Sequence, residues 1–281
     1  MSIRVIPRLD IKGPNLVKGI HLEGLRVLGK PERFARAYYE AGADELLYMD
    51  AVASLYGRNS LDEIIERTAT EIFIPLTVGG GLRTVDDIAR VLRSGADKVS
   101  LNTAAIARPE LITEASRRFG SSTIVVSIEA IRTGDSWLCF TDNGREATGL
   151  DAVEWAVRAA ELGAGELIVT SVDREGTGEG FDLELTHAIA AAVPLPVIAC
   201  GGAGDLPHIS DAVTVAGADA VSVASILHYE RIRHEVHDAD DYVGEGNTEF
   251  MKQGRTFGRI RETTLPEIKV HLAERGIACR V

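Results

Sequence analysis

Aromatic side chains make up 5% of these 281 residues and only two are tryptophan, so a core of any size has to be filled by Val, Ile, Leu and Ala. With 45% hydrophobic residues there is material enough for one. Cysteine is equally scarce: Cys139, Cys200 and Cys279 are odd in number and lack metal-ligand spacing, which fits a reduced chain and not a disulfide framework. A basic surplus is missing too. Thirty Lys and Arg stand against 42 Asp and Glu, a formal charge of −12, which excludes a general nucleic-acid surface and leaves room only for local anion sites. No apolar run approaches the ~18–20 residues that span a bilayer. Met1 to Asp10 enters a strand pattern without the regions of a signal peptide, so the expected location is the cytoplasm, with no membrane partner. Nor does a Pro-, Ser- or Gly-rich linker divide the chain, and residues 1–281 are read as one closed domain.

What the chain does contain is itself, twice. Gly42-Ala43-Asp44-Glu45-Leu46 returns as Gly163-Ala164-Gly165-Glu166-Leu167, Gly95-Ala96-Asp97 as Gly217-Ala218-Asp219, and Pro75–Gly81 as Pro196–Gly202, at offsets of 121 to 122 residues. A constant offset marks repeated architecture. Short β-branched runs occur at Val5–Ile11, Glu45–Asp50, Ile74–Val78, Lys98–Leu101, Ile124–Ile128, Glu166–Val172, Val197–Cys200 and Ala220–Ala224. Between most of them lie stretches with apolar residues at three- and four-residue spacing: Lys30–Ala41, Leu61–Thr70, Val85–Ser94, Arg108–Phe119, Leu150–Leu162, Leu183–Ala192 and His208–Ala216. Eight strand–helix units with a two-fold repeat predict a (β/α)8 TIM barrel made of two half-barrels, and an open doubly wound sheet is the alternative. Two segments break the pattern. Lys12 to Gly29 reads as a long loop at the catalytic face, and 229–260 reads as an insertion before a final helix capped by Thr264, with Pro266 and Glu267 in its first turn.

In such a barrel chemistry belongs at the carboxyl ends of the strands. Gly80 and Gly81 with Asn102 and Thr103, and Gly176, Gly201 and Gly202 with Ala224 and Ser225, would offer backbone N–H groups and hydroxyls at neighbouring strand ends. Two such cradles on opposite sides of a barrel predict a bisphosphorylated ligand. Asp10 and Glu129 end the first and fifth strands, across the barrel from one another, where paired carboxylates can act as general acid and base; capping of a loop is the plainer account of each. Asp50, Asp173 and Glu175 enlarge the acidic rim, and Lys18 is placed to meet a phosphate or to stand in solvent. At the opposite end, Arg4, Glu45, Lys98 and Glu166 lie near strand starts. Balanced charges there are expensive to bury and suggest a gated polar opening. No histidine cluster with ligand spacing supports a metal, His234/His237 reading better as a solvated loop, and no cofactor is expected.

The stretches Leu9–Lys12, Leu16–Gly19, Ala43–Leu46, Thr77–Leu82, Gly95–Thr103, Thr170–Thr177 and Gly201–Gly204 resemble the cyclase subunit of imidazole glycerol phosphate synthase, up to about His228 and again over the last helix. The resemblance implies a barrel that takes ammonia from a glutaminase subunit docked below, with Arg4, Glu45, Lys98 and Glu166 as the gate. It further implies that the ammonia attacks a bisphosphorylated ribulosyl formimino carboxamide nucleotide, giving imidazole glycerol phosphate and an aminoimidazole carboxamide ribonucleotide under the control of two carboxylates. Asp10 matches the first; Glu129 and Glu175 stand where that family has aspartates, and Arg8 where it has a small residue or cysteine. The altered acidic residues keep open a second acceptor, a nucleotide- or lipid-linked sugar in surface-polysaccharide amidation. An isomerase of the same two-fold barrel type, or a silent barrel that only activates a glutaminase, are further alternatives.

Overall fold

The computed structural model of the chain describes residues 2–53, 61–234 and 259–280. Eight parallel strands close on themselves: β1 (Arg4–Lys12), β4 (Leu46–Asp50), β5 (Leu76–Gly79), β6 (Lys98–Leu101), β7 (Ile124–Thr133), β10 (Glu166–Ser171), β11 (Val197–Cys200) and β12 (Ala220–Val223), with β12 pairing back onto β1. The (β/α)8 barrel is as the repeat predicts, and the open sheet is excluded by that closing pair. Helices α1 (Pro31–Glu40), α2 (Asp62–Ala69), α3 (Val85–Arg93), α4 (Thr103–Ala107), α5 (Glu110–Phe119), α6 (Ala152–Glu161), α7 (Leu183–Ala192), α8 (Leu206–Thr214) and α9 (Ser225–His234) follow the strands, and α10 (Leu265–Glu274) follows them all.

The repeated Gly-Ala-Asp turns explain part of the closure. Asp44, Asp97 and Asp219 each precede a strand and accept the backbone N–H of a residue near the start of the previous one: Val5 at 2.8 Å, Leu76 at 2.9 Å and Val197 at 3.0 Å. Each carboxylate thus ties two strands at the lower face. Aliphatic residues pack between strands and helices, as the poverty in aromatics requires. Inside the bore a separate ring of Ile6, Leu47, Val125, Ile168, Ile198, Cys200 and Ala220 forms a second apolar layer. Each of its larger side chains contributes roughly 1.5–3 kcal/mol through burial. Thr264 and Glu267 form the expected capping box on α10, whose buried Lys269 pairs with Asp44 at 2.9 Å and so fastens the last helix to the barrel's lower end.

Three expectations are corrected. Lys12 to Gly29 is a hairpin, β2 (Asn15–Ile20) and β3 (Glu23–Gly29), continuing antiparallel from β1. Its turn residues His21 and Leu22 both take positive φ, the geometry that Asn-Gly normally supplies, so the sequence carries no turn signal there. The same device recurs in the other half: β7 runs on into β8 (Ser136–Thr141) and β9 (Glu146–Asp151). Consequently Asp10 and Glu129 do not end their strands. They sit where β1 and β7 exchange parallel barrel partners for antiparallel hairpin ones. Finally, residues 229–234 complete α9 and so extend the pattern instead of interrupting it, while 235–258, including His237, lie outside the described residues.

Candidate active site

Alternation along β1 sends Arg4, Ile6, Arg8 and Asp10 into the barrel, one above another, and this column organises the site. At the bottom Arg4 bonds Glu45 at 3.0 Å and also Glu166, while Lys98 Nζ reaches Glu45 and Glu166 at 3.0 Å each. Thr77 adds a hydroxyl to Glu45 at 2.6 Å. The four residues named from sequence therefore meet in one alternating ring, though Arg4 comes from the first barrel strand and the other three from the second, fourth and sixth. Both carboxylates are buried while Arg4 and Lys98 keep partial exposure, so the ring faces water on one side and the apolar layer on the other.

At the top, Arg8 Nε donates to Asp10 Oδ1 at 2.7 Å, Lys18 Nζ stands 3.8 Å from Asp10 Oδ2, and Lys18 bonds Glu175 directly. All four are buried. Burial alone would raise the Asp10 pKa, but Arg8 and then Lys18 outweigh it and hold the group below its ordinary value, as a carboxylate. Glu129 goes the other way. Burial pushes it up to about 7, against the pull of Arg8 and of the Gly144 N–H that reaches Glu129 Oε2 at 2.9 Å. The two acids are thus shifted in opposite directions, so that below about pH 7 Glu129 keeps its proton where Asp10 has lost its own, the arrangement that separates an acid from a base.

Two cavities open on this mouth. One of about 270 Å³ is lined by Asp50, Gly80, Gly81, Asn102, Thr103 and Glu129, among others, and the second, of about 10 Å³, by Glu175, Gly176, Gly201, Gly202, Ala224 and Ser225. Gly80 has φ +96° and a Cβ there would lie 2.5 Å from Asp50 O; at Gly202, φ is +108° and a Cβ would fall 2.1 Å from Gly180 O. No other residue fits either turn. Asp173 is placed elsewhere: it is exposed and accepts the Arg132 N–H at 2.8 Å, outside both cavities. Lys18 is brought to Asp10 and Glu175 and is not solvated. Arg8, which sequence reading marked only as a departure, lines both cavities. The inward alternation with Arg4 and Asp10 was the signal that places it. His228 was missed as well; its Nε2–H donates to Arg8 O at 2.9 Å, so Nδ1 accepts from Tyr38 Oη at 2.6 Å, and burial lowers its pKa to about 3. It is a neutral strut.

The model of the histidine biosynthesis protein family matches residues 4–233. The imidazole glycerol phosphate synthase subunit HisF of Legionella pneumophila is 60% identical over 210 residues, covering 74% of this chain and 99% of that protein. The subunit of the same name from Myxococcus xanthus (strain DK1622) is 52% identical over 228 residues, 81% of this chain and 90% of its own length.

Proposed function

This chain belongs to the histidine biosynthesis protein family, and on that premise we propose that it is the cyclase subunit of an imidazole glycerol phosphate synthase, acting with ammonia on a bisphosphorylated formimino carboxamide ribulose nucleotide. The observation that carries the reading is geometric: Glu129 lines the wider glycine-edged cavity, Arg8 lines both, and Asp10 is bonded to Arg8 from the same face of β1. Ammonia adds to the ribulosyl ketone with loss of water. The same nitrogen then attacks the formimino carbon, expelling the aminoimidazole amine and closing the ring, and transfer of a proton from the former sugar C1 to a ring nitrogen completes the imidazole. Asp10, as carboxylate, takes the protons that nitrogen sheds. Glu129, as acid, supplies them to the departing oxygen and amine. Gly80, Gly81, Asn102 and Thr103 hold one phosphate, and Gly176, Gly201, Gly202 and Ser225 the other.

The partner is a glutaminase docked on the lower face, which delivers ammonia to the ring of Arg4, Glu45, Lys98 and Glu166. On that side of the barrel the exposed Phe73 borders a depression lined also by Pro75, Gly95 and Asp97, next to Lys98 of the ring. Among the described residues no helix is long and apolar enough to cross a membrane. Purified chain, given the formimino nucleotide and ammonium salts, should form the two products in equal amounts; no turnover at saturating ammonia refutes the reading. The inequality of the cavities, about 270 against about 10 Å³, favours one other acceptor, a nucleotide-linked sugar whose two phosphates lie together in the wider cradle. Formation of an aminated sugar by the chain with its glutaminase would select it.

A further inference from the structure

We propose that Arg8 is the positioning residue of the reaction's base: standing on the apolar ring of the bore and bonded through Nε to Asp10 Oδ1, its guanidinium fixes that carboxylate's aim where the bore opens beneath the ligand. The inference rests on the cyclase reading and adds to it a residue that neither cradle nor gate requires. A guanidinium in the middle of a barrel carries a desolvation penalty of several kcal/mol, so it persists only where its partners compensate. Among the described residues its one close side-chain bond is the 2.7 Å contact to Asp10; the others, Nη1 to Thr170 Oγ1 and to Cys200 Sγ, are 3.5 Å each. Arg8 is therefore built around Asp10.

The backbone beneath it is just as constrained. The carbonyl of Arg8 accepts from His228, which Tyr38 orients in turn, so a chain of buried bonds runs from α1 through α9 to the strand that carries the base. Arg8 also occupies the last step of the nitrogen's path. Ile6, Leu47, Val125, Ile168 and Ile198 lie below it and Asp10 above. A fixed cation there admits neutral ammonia and repels ammonium, which delivers the nucleophile with its lone pair free.

The titratable groups facing Asp10 are Arg8 on its own strand, Lys18 from β2, the neutral His228 from α9 and, across the mouth, Glu129 from β7; Glu175 stands behind Lys18. Replacing Arg8 leaves Lys18 as the remaining cation, at 3.8 Å and already committed to Glu175. The test is Arg8→Met and Arg8→Lys with ammonium salts and the formimino nucleotide, over a pH series. In Arg8→Met, kcat should fall about 100-fold, as a misplaced catalytic group does, with KM for the nucleotide within about threefold. The acidic limb of kcat/KM should move up by about one pH unit, because an opposite charge at this range has been removed. Arg8→Lys should return that limb towards its wild-type position while recovering only part of kcat. A KM rise with kcat intact would make Arg8 a ligand contact, and a reduced kcat with an unmoved acidic limb would make it only structural; either overturns the proposal. Thermal melts check that both variants fold. A carboxyl ¹³C titration of Asp10 in ligand-free wild type and Arg8→Met, or Arg8→Gln should the methionine variant not fold, reads the same effect without turnover: a midpoint that stays put once the guanidinium is gone overturns it. A wild type that is inactive on the nucleotide counts against the cyclase and leaves the titration to judge Arg8.

Discussion

Glu129→Gln should make the protein more stable at pH 8.5 than the parent while leaving stability near pH 4 little changed. The carboxyl is fully buried, and burial lifts its pKa from 4.5 to about 7, with Arg8 and the Gly144 N–H opposing. In the unfolded chain the group returns to its ordinary value. Between those values the folded state holds a proton that the unfolded state has lost, so stability is fully present below about 4.5 and drains away as pH rises through about 7. At ~1.4 kcal/mol per pKa unit, the displacement corresponds to about 3 kcal/mol, a large share of a typical stability. Glutamine keeps the shape and cannot ionise, so this loss disappears. Asp10 works with opposite sign, its stabilisation being lost only on acidification, and does not mask the effect at alkaline pH. Urea unfolding at several pH values measures the difference: the parent's stability relative to the variant should decline from pH 4.5 to 8. Parallel pH curves would refute the assignment of Glu129 as a buried acid. The same substitution should lower kcat/KM by about 10²–10⁴, the usual contribution of a general acid.

Gly202→Ala should weaken nucleotide binding more than tenfold and destabilise the fold by more than about 1 kcal/mol, since both φ and a backbone oxygen oppose a Cβ; calorimetric titration and denaturation check the two effects. Lys98→Met should leave turnover with added ammonium salts within a fewfold and reduce glutamine-driven turnover with the partner subunit, because Arg4 still pairs with both acids while the ring loses its second cation. Equal losses with both nitrogen sources would argue against a gate. Thr264→Ala should cost about 1 kcal/mol by removing the cap of α10, with kinetics unchanged; a denaturation midpoint equal to the parent's would contradict it.

The barrel was legible because its signals are local and repeated. Gly-Ala-Asp turns recur at a fixed offset, their aspartates do one job three times, and β-branched runs such as Val197–Cys200 match their strands end to end. The hairpins were less so, for different reasons. Asn15–Ile20 is buried on both faces and shows no alternation, and its turn uses His21 and Leu22. The second hairpin did leave a mark, Gly134-Asp135 between paired Thr133 and Ser136, a two-residue turn signal. In the site, the clustering of the glycine turns and the lower charged ring were legible because the ends of β5, β6, β11 and β12 and the starts of β1, β4, β6 and β10 lie within a residue of where the sequence puts them. Other pairings were beyond reach: alternation puts Arg8 and Asp10 on one face of β1, but nothing local says that Lys18 leaves solvent for Glu175 or that Gly144 comes over to Glu129. These partners are distant in sequence or meet only once the barrel has closed, and they decide which carboxyl keeps its proton.

The most direct test of the account is a crystal structure of the protein with the bisphosphorylated nucleotide bound. One phosphate should rest on Gly80, Gly81 and Thr103, the other on Gly176, Gly202 and Ser225, with the ribulosyl ketone and formimino carbon between Asp10 and Glu129 above Arg8. Two phosphates sharing the wider cradle, or reacting atoms away from both carboxyls, would contradict it.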